Sequence, residues 1–162
     1  MADKDYFEAH ILPLLDAPGV QFVGEIGEAE KSEFLGGAHA LLFPISWPEP
    51  FGLVMIEAMA CGTPVIGFNR GAVPEVMQDG VTGFVVEDVE GAVRAVAHLD
   101  AINRAVVRAT FERRFSVDAM ATKYESAYAT VAAMDTRLRH TVASVDRTPL
   151  NATAITPVSG RA

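Results

Sequence analysis

Apolar residues along this chain fall into two rhythms. Val20–Gly24, Ala40–Pro44, Pro64–Phe68 and Gly83–Val86 are short, nearly continuous apolar runs. That is the pattern of strands covered on both faces. Elsewhere the apolar residues return at helical spacing. Tyr6–Leu15 reads as an amphipathic helix with Pro13 a flaw near its end. Helices are expected over Glu28–His39, Phe51–Ala60, Val89–Leu99 and Asn103–Arg114, and a short helix or turn over Val73–Met77. Ser116–Met134 is a longer helix, in which Val117, Met120, Ala121, Tyr124, Tyr128 and Val131 share one face and Ser116 can cap the start. From about residue 140 the periodicity ends, and Thr, Ala, Ser and Pro dominate to Ala162. The expected organisation is one domain over residues 1–139 and a disordered tail over 140–162.

Strands separated by helices predict an α/β fold: a Rossmann-like, mostly parallel sheet with helices on both faces. In such sheets ligands bind beyond the carboxyl ends of the strands. That directs attention to the loops Pro44–Phe51 and Asn69–Pro74.

Composition narrows the picture. The chain has 162 residues, 50% hydrophobic and 21% charged, which is enough for one globular domain with a core. A formal net charge of -8, with no long Lys/Arg cluster, argues against nucleic acid as a partner. The single cysteine, Cys61, excludes an internal disulfide and reads as a small core residue. The four histidines are scattered, so no metal-ligand set is visible and no metal is expected. The polar start Met1–Asp5 is unlike a signal peptide, and no apolar run is long enough to span a bilayer. The expected location is the cytoplasm.

The segment with chemical content is Phe43–Pro64. A strand end leads into a proline-punctuated loop, and a helix starts near Phe51 or Gly52. Gly52 allows close backbone approach to a ligand. The first N–H groups of the helix have no partner within it and, with the helix dipole, suit a phosphate. Glu49 lies just before that terminus. Glu57 is the one ionisable side chain in an otherwise apolar helix, and a helix apolar all round is a buried one. A carboxylate buried there needs partners. Two readings stand: it accepts from ligand hydroxyls such as those of a ribose, or it lies on a solvent-facing strip or pairs with a nearby arginine. Cys61–Pro64 fits a helix stop with Gly62 in the left-handed position. Glu87, Asp88 and Glu90 suit a metal, or better the positive end of the helix they open.

Glu49-Pro50-Phe51-Gly52 followed by Glu57-Ala58-Met59-Ala60-Cys61-Gly62-Thr63-Pro64-Val65-Ile66 resembles the signature of the family 4 glycosyltransferases, enzymes of GT-B architecture with two facing Rossmann-like domains. The resemblance runs over residues 5–134 and includes Gly71–Val76, Asp79–Phe84 and Phe115-Ser116. It implies a retaining transfer of a sugar, hexosyl in kind, from a nucleoside-diphosphate sugar. It implies that Glu49 faces the transferred sugar, that Phe51, Gly52 and Leu53 contact sugar hydroxyls and diphosphate, and that Glu57 holds the ribose hydroxyls. Arg70 is placed to help neutralise the diphosphate, or is a solvated loop residue. Family members generally work without a bound metal. The family's acceptor domain and the first strand–helix units of its donor domain have no counterpart here, so the resemblance implies a donor-binding part truncated on its N-terminal side, or half of a split enzyme completed by a second chain. Two other functions compete: a binding module that holds a nucleotide sugar without turning it over, and a nucleotide-sugar epimerase of the same architecture.

Overall fold

The computed structural model describes residues 2–144. The chain divides into two compact units, Met1–Ser116 and Val117–Ala162. No helix among the described residues is long and apolar enough to cross a membrane.

The first unit opens with α1 (Ala2–Tyr6), a π-helical turn (Phe7–Ile11) and α2 (Leu12–Leu15). Pro13 explains the change of pitch. It has no N–H, and its ring would collide with the carbonyl four residues back, so the ladder is re-spaced and the Leu12 N–H donates to the Phe7 carbonyl. This segment buries none of its residues from Phe7 to Leu15, although its amphipathic pattern predicts a packed face.

The other elements are α3 (Glu28–Gly37), β1 (Leu41–Phe43), α4 (Leu53–Ala60), β2 (Val65–Phe68), α5 (Val73–Val76), β3 (Gly83–Val86), α6 (Val89–Val96), a 3-10 turn (Leu99–Ala101) and α7 (Arg104–Phe115). The strands form a parallel sheet in the order β1-β2-β3. Leu42 pairs with Ile66, and Ile66 with Phe84. Strand alternation divides the side chains. Leu41, Phe43 and Val65 face a core built with Met55, Ala58 and Met59 of α4, Val73 and Val76 of α5, and Val107 of α7. On the other face α6 packs against β2 and β3. It leaves an apolar groove of about 280 Å³ bordered by Leu42, Ile66, Phe68, Val89 and Val93.

One expected strand is not formed. Val20–Gly24 has no ladder partner, Gly24 takes a φ of 74°, and Phe22 is 68% exposed. An apolar run becomes a strand only when a neighbour accepts its backbone groups. Here the Val20 N–H instead closes a turn onto the Ala17 carbonyl at 3.1 Å. The helix expected to begin at Phe51 begins at Leu53, and α4 is not buried all round, since Leu53 is 65% exposed.

Three arginines of α7 close the ends of three other helices. Arg104 donates to the carbonyls of Ala38 and Gly36 and to the Thr63 hydroxyl, at 2.7, 2.7 and 2.8 Å. Arg108 donates to the Ala60 carbonyl. Arg114 donates to the Val76 and Glu75 carbonyls at 2.7 and 2.6 Å. These are C-terminal carbonyls of α3, α4 and α5 that no helical N–H can reach. The buried Thr63 hydroxyl donates in turn to the Leu35 carbonyl at 2.7 Å.

The second unit is described through α8 (Val117–Ser144), which carries helix past the boundary expected at residue 139. Val117, Met120, Tyr124, Tyr128 and Val131 are exposed, and the rings of Tyr124 and Tyr128 lie 6.0 Å apart. The rest of the expected tail, residues 145–162, lies outside the described residues.

Replacing Arg104 by Ala removes one charged donor from three acceptors at once. The expected cost is roughly 2–3 kcal/mol of unfolding free energy by urea titration. A loss below about 0.5 kcal/mol would mean that the staple contributes no more than an ordinary surface side chain.

Candidate functional site

The two loops singled out at the carboxyl ends of β1 and β2 meet at Glu49. Its backbone N–H donates to the Trp47 carbonyl at 2.9 Å, and its carbonyl accepts from the Ala72 N–H at 2.8 Å. Gly71 is what permits this approach. A Cβ there would lie 2.4 Å from both the nitrogen and the oxygen of the Glu49 backbone, and Gly71 takes a φ of 50°. The loop after β2 therefore grips the loop after β1 main chain to main chain.

The Glu49 carboxylate is held on both oxygens. Oε1 accepts from the Gly52 N–H at 3.2 Å and Oε2 from Trp47 Nε1 at 3.1 Å. Each oxygen keeps acceptor capacity for a further donor. Gly52 is buried, with φ 71° and ψ 68°, and a Cβ would meet Met55 Cε at 2.8 Å and Phe43 Cζ at 3.2 Å. A left-handed residue here turns the chain sharply from the loop into α4. The Gly52 carbonyl takes the Met55 N–H at 3.0 Å. The Gly52 N–H is thus already engaged by Glu49, which leaves Leu53 and Val54 to present the unpaired N–H groups that open any α-helix. Phe51 packs edge-on against Phe115, ring centres 6.3 Å apart, and is itself exposed.

Along α4, Leu53 and Glu57 share a face, opposite the buried Met55, Ala58 and Met59. Glu57 lies one helical turn, about 6 Å, beyond the amino terminus. Its side chain is 36% exposed and Oε1 accepts from Lys31 Nζ at 2.9 Å. The partner is a lysine of α3, not the nearby arginine that the sequence suggested. Lys31 also donates to Glu28 Oε2 at 2.7 Å. The hydrogen bond to Glu28, then that to Glu57, raises the Lys31 pKa above its ordinary value against an opposing effect of burial. Lys31 is therefore cationic through neutral pH, and what the pairing contributes is lost only as pH climbs above the usual lysine range of about 10.4.

Arg70 is half-exposed. Its Nη1 donates to the Asn69 carbonyl at 2.9 Å and lies 3.5 Å from Glu87 Oε2. Glu87 also accepts from Asn69 Nδ2 at 2.8 Å, while Asp88 caps α6 by accepting the Gly91 N–H at 2.7 Å. These acids are committed to a loop and a cap. Among the described residues no group of three or more His, Cys, Asp or Glu could hold a metal ion. Lys31, Trp47 and Gly71 are site neighbours that sequence reasoning missed. Gly71 beside Arg70 carried a local signal; Lys31, 26 positions from Glu57, carried none.

A cavity of about 600 Å³ lies elsewhere, between β3 and α6, with Asp79, Phe84, Glu87, Arg94 and His98 on its walls. None of the six predicted site residues lines it.

Comparison with known proteins bears on this geometry. Residues 2–105 match the family described as glycosyl transferases group 1. The chain is 37% identical over 132 residues to a D-inositol 3-phosphate glycosyltransferase of Mycolicibacterium gilvum, covering 68% of this chain and 29% of that protein. It is 28% identical over 127 residues to a phosphatidyl-myo-inositol mannosyltransferase of Mycobacterium leprae, covering 74% and 34%. Among solved structures, sucrose-phosphate synthase of Thermosynechococcus elongatus superposes with a TM-score of 0.64 at 28% identity, over 82% of this chain and 35% of that one. HepE of Anabaena, in complex with UDP, gives 0.67 at 22% identity, over 80% and 38%, a likeness of fold. The chain thus spans little more than a third of the length of these relatives, or less.

If the Gly71 contact sets the position of Glu49, Gly71→Ala will displace Trp47 with it. Trp47 is the single tryptophan, so its emission reports the loop directly. The variant is expected to shift that spectrum and to lose roughly 1–3 kcal/mol of stability. An unchanged spectrum at unchanged stability would mean that the loops are not interlocked.

Proposed function

Because the chain belongs to the group 1 glycosyl transferases, we propose that it is the donor-binding part of a retaining glycosyltransferase of family 4 that uses a nucleoside-diphosphate sugar. The observation that carries this reading is the order of features along α4. Glu49 lies before the helix, the free amides of Leu53 and Val54 open it, and Glu57 follows one turn later. A nucleotide sugar has its parts in the same order: sugar, diphosphate, ribose. The UDP complex of the similarly folded HepE supports a nucleotide as the ligand class.

In this reading the bond between the anomeric carbon and the diphosphate oxygen breaks, and one from that carbon to an acceptor hydroxyl oxygen forms. The acceptor's proton is released and a nucleoside diphosphate departs. Negative charge develops on the diphosphate, where the amides of Leu53 and Val54 and the dipole of α4 favour it without reorganisation. Arg70 adds positive charge once it leaves Glu87, and the helix terminus takes the part that a metal ion plays in other transferases. Glu49, fixed by Gly52 and Trp47, orients the hexosyl group and favours positive charge at its reacting carbon. Glu57 accepts from the ribose hydroxyls.

A second reading is a donor-binding half that turns nothing over until a further polypeptide joins it. The unpaired run Val20–Gly24 and the 58% exposure of Leu42 on β1 favour it.

Calorimetric titration with nucleoside diphosphates tests the ribose assignment. Glu57→Ala is expected to weaken binding by roughly 1–3 kcal/mol, and an unchanged affinity would make Glu57 a structural residue. Glu49 separates from it by function. In the active enzyme, Glu49→Ala is expected to lower turnover far more than nucleoside diphosphate affinity. Equal losses in both would assign Glu49 to the nucleotide.

A further inference from the structure

The carboxylate of Glu57 is the one charge on α4, and Lys31 is the one base on α3. They meet across the two helices at 2.9 Å, while Glu28 holds the other side of the same ammonium at 2.7 Å. The two flanking carboxylates fix Lys31 on the α3 surface. Among the described residues Lys31 engages Oε1 of Glu57, and Oε2 has no protein partner. The side chains are 29% and 36% exposed, so a ligand seated on Glu57 would cover a charge pair that is already half withdrawn from water.

An ion pair this exposed contributes little to folding. Its effect on the carboxylate is specific. A free glutamate on an apolar face samples several rotamers and loses hydration when a ligand covers it. With Oε1 tied to a cation, the carboxylate keeps one orientation and presents Oε2 outward. A vicinal diol needs such an acceptor, because its two hydroxyls converge on one oxygen or straddle the two.

We propose that Lys31 is a positioning residue for Glu57, holding its carboxylate in the orientation that selects ribose over deoxyribose in the bound nucleotide. This rests on the reading that Glu57 accepts from ribose hydroxyls. Lys31 touches Glu57 and does not itself contact the nucleotide. Its removal therefore lowers the advantage of a 2′-hydroxyl and leaves affinity for the rest of the nucleotide in place.

The experiment titrates the full chain calorimetrically with UDP, GDP and ADP and with their 2′-deoxy counterparts. It compares the unmodified protein with Lys31→Met, Lys31→Arg and Glu57→Ala. Met keeps the stem of the side chain and removes the charge. For whichever ribonucleotide binds, Lys31→Met is expected to lose about fivefold to tenfold in affinity, against less than about twofold for its deoxy partner. The melting temperature should barely move. Lys31→Arg should restore most of the preference, and Glu57→Ala should abolish it. Equal weakening of ribo and deoxy ligands by Lys31→Met would overturn the proposal in favour of a direct contact with the diphosphate. A preference lost in Glu57→Ala but intact in Lys31→Met would overturn it while leaving the role of Glu57 standing. A preference intact in both variants, or no binding of any of the six nucleotides, would overturn both.

Discussion

The candidate site depends on one close approach, that of Gly71 to the backbone of Glu49. With a Cβ at Gly71 the two loops could not come within hydrogen-bonding reach, and the bond from the Ala72 N–H to the Glu49 carbonyl would be lost. That bond sets where Glu49 lies. Its carboxylate then takes the Gly52 N–H, and Gly52 in its left-handed conformation aims the first turn of α4. The direction of the free helical amides thus follows from a contact between two loops. The sheet matters because parallel β1 and β2 deliver both loops to the same edge.

The far end of α4 is held by different means. Arg108 caps the Ala60 carbonyl, while Arg104 ties Thr63 and the end of α3 together. Lys31 then reaches Glu57 from the same α3. A helix fixed at both ends presents its polar features at fixed separations, and preorganisation of that kind is what charge stabilisation in a reacting complex requires. The larger cavity between β3 and α6 lacks this arrangement. Two of its polar groups are already engaged: Asp79 Oδ1 accepts the Val85 N–H at 2.9 Å, and the ring nitrogen Nδ1 of His98 is paired with the Arg94 carbonyl at 2.9 Å.

Much of this was legible in the sequence, for reasons that are local. The apolar runs that became β1, β2 and β3 are bounded by Pro, Gly or acidic residues, and their periodicity needs no knowledge of the rest of the chain. The same holds for Gly52 before α4, for the acids that open α6, and for Gly62, which takes a φ of 71° after the helix. Non-local matters were hidden. Val20–Gly24 has a strand's composition, but pairing is a property of two segments. Tyr6–Leu15 has a helix's period, but whether its apolar side is buried depends on a neighbour. The partner of Glu57 came from a different helix and was a lysine rather than an arginine. The engagement of the Gly52 N–H by Glu49 required the left-handed turn to be known first.

In the proposed function the amino terminus of α4 receives a diphosphate, with the ribose one turn further on. Amide NMR during titration with a nucleoside diphosphate tests this most directly. Saturable shifts are expected at Leu53 and Val54 and around Glu57, with the unphosphorylated nucleoside leaving Leu53 and Val54 unmoved. Shifts concentrated instead at Asp79, Phe84, Arg94 and His98, with α4 unperturbed, would contradict it and move the site to the cavity beside β3.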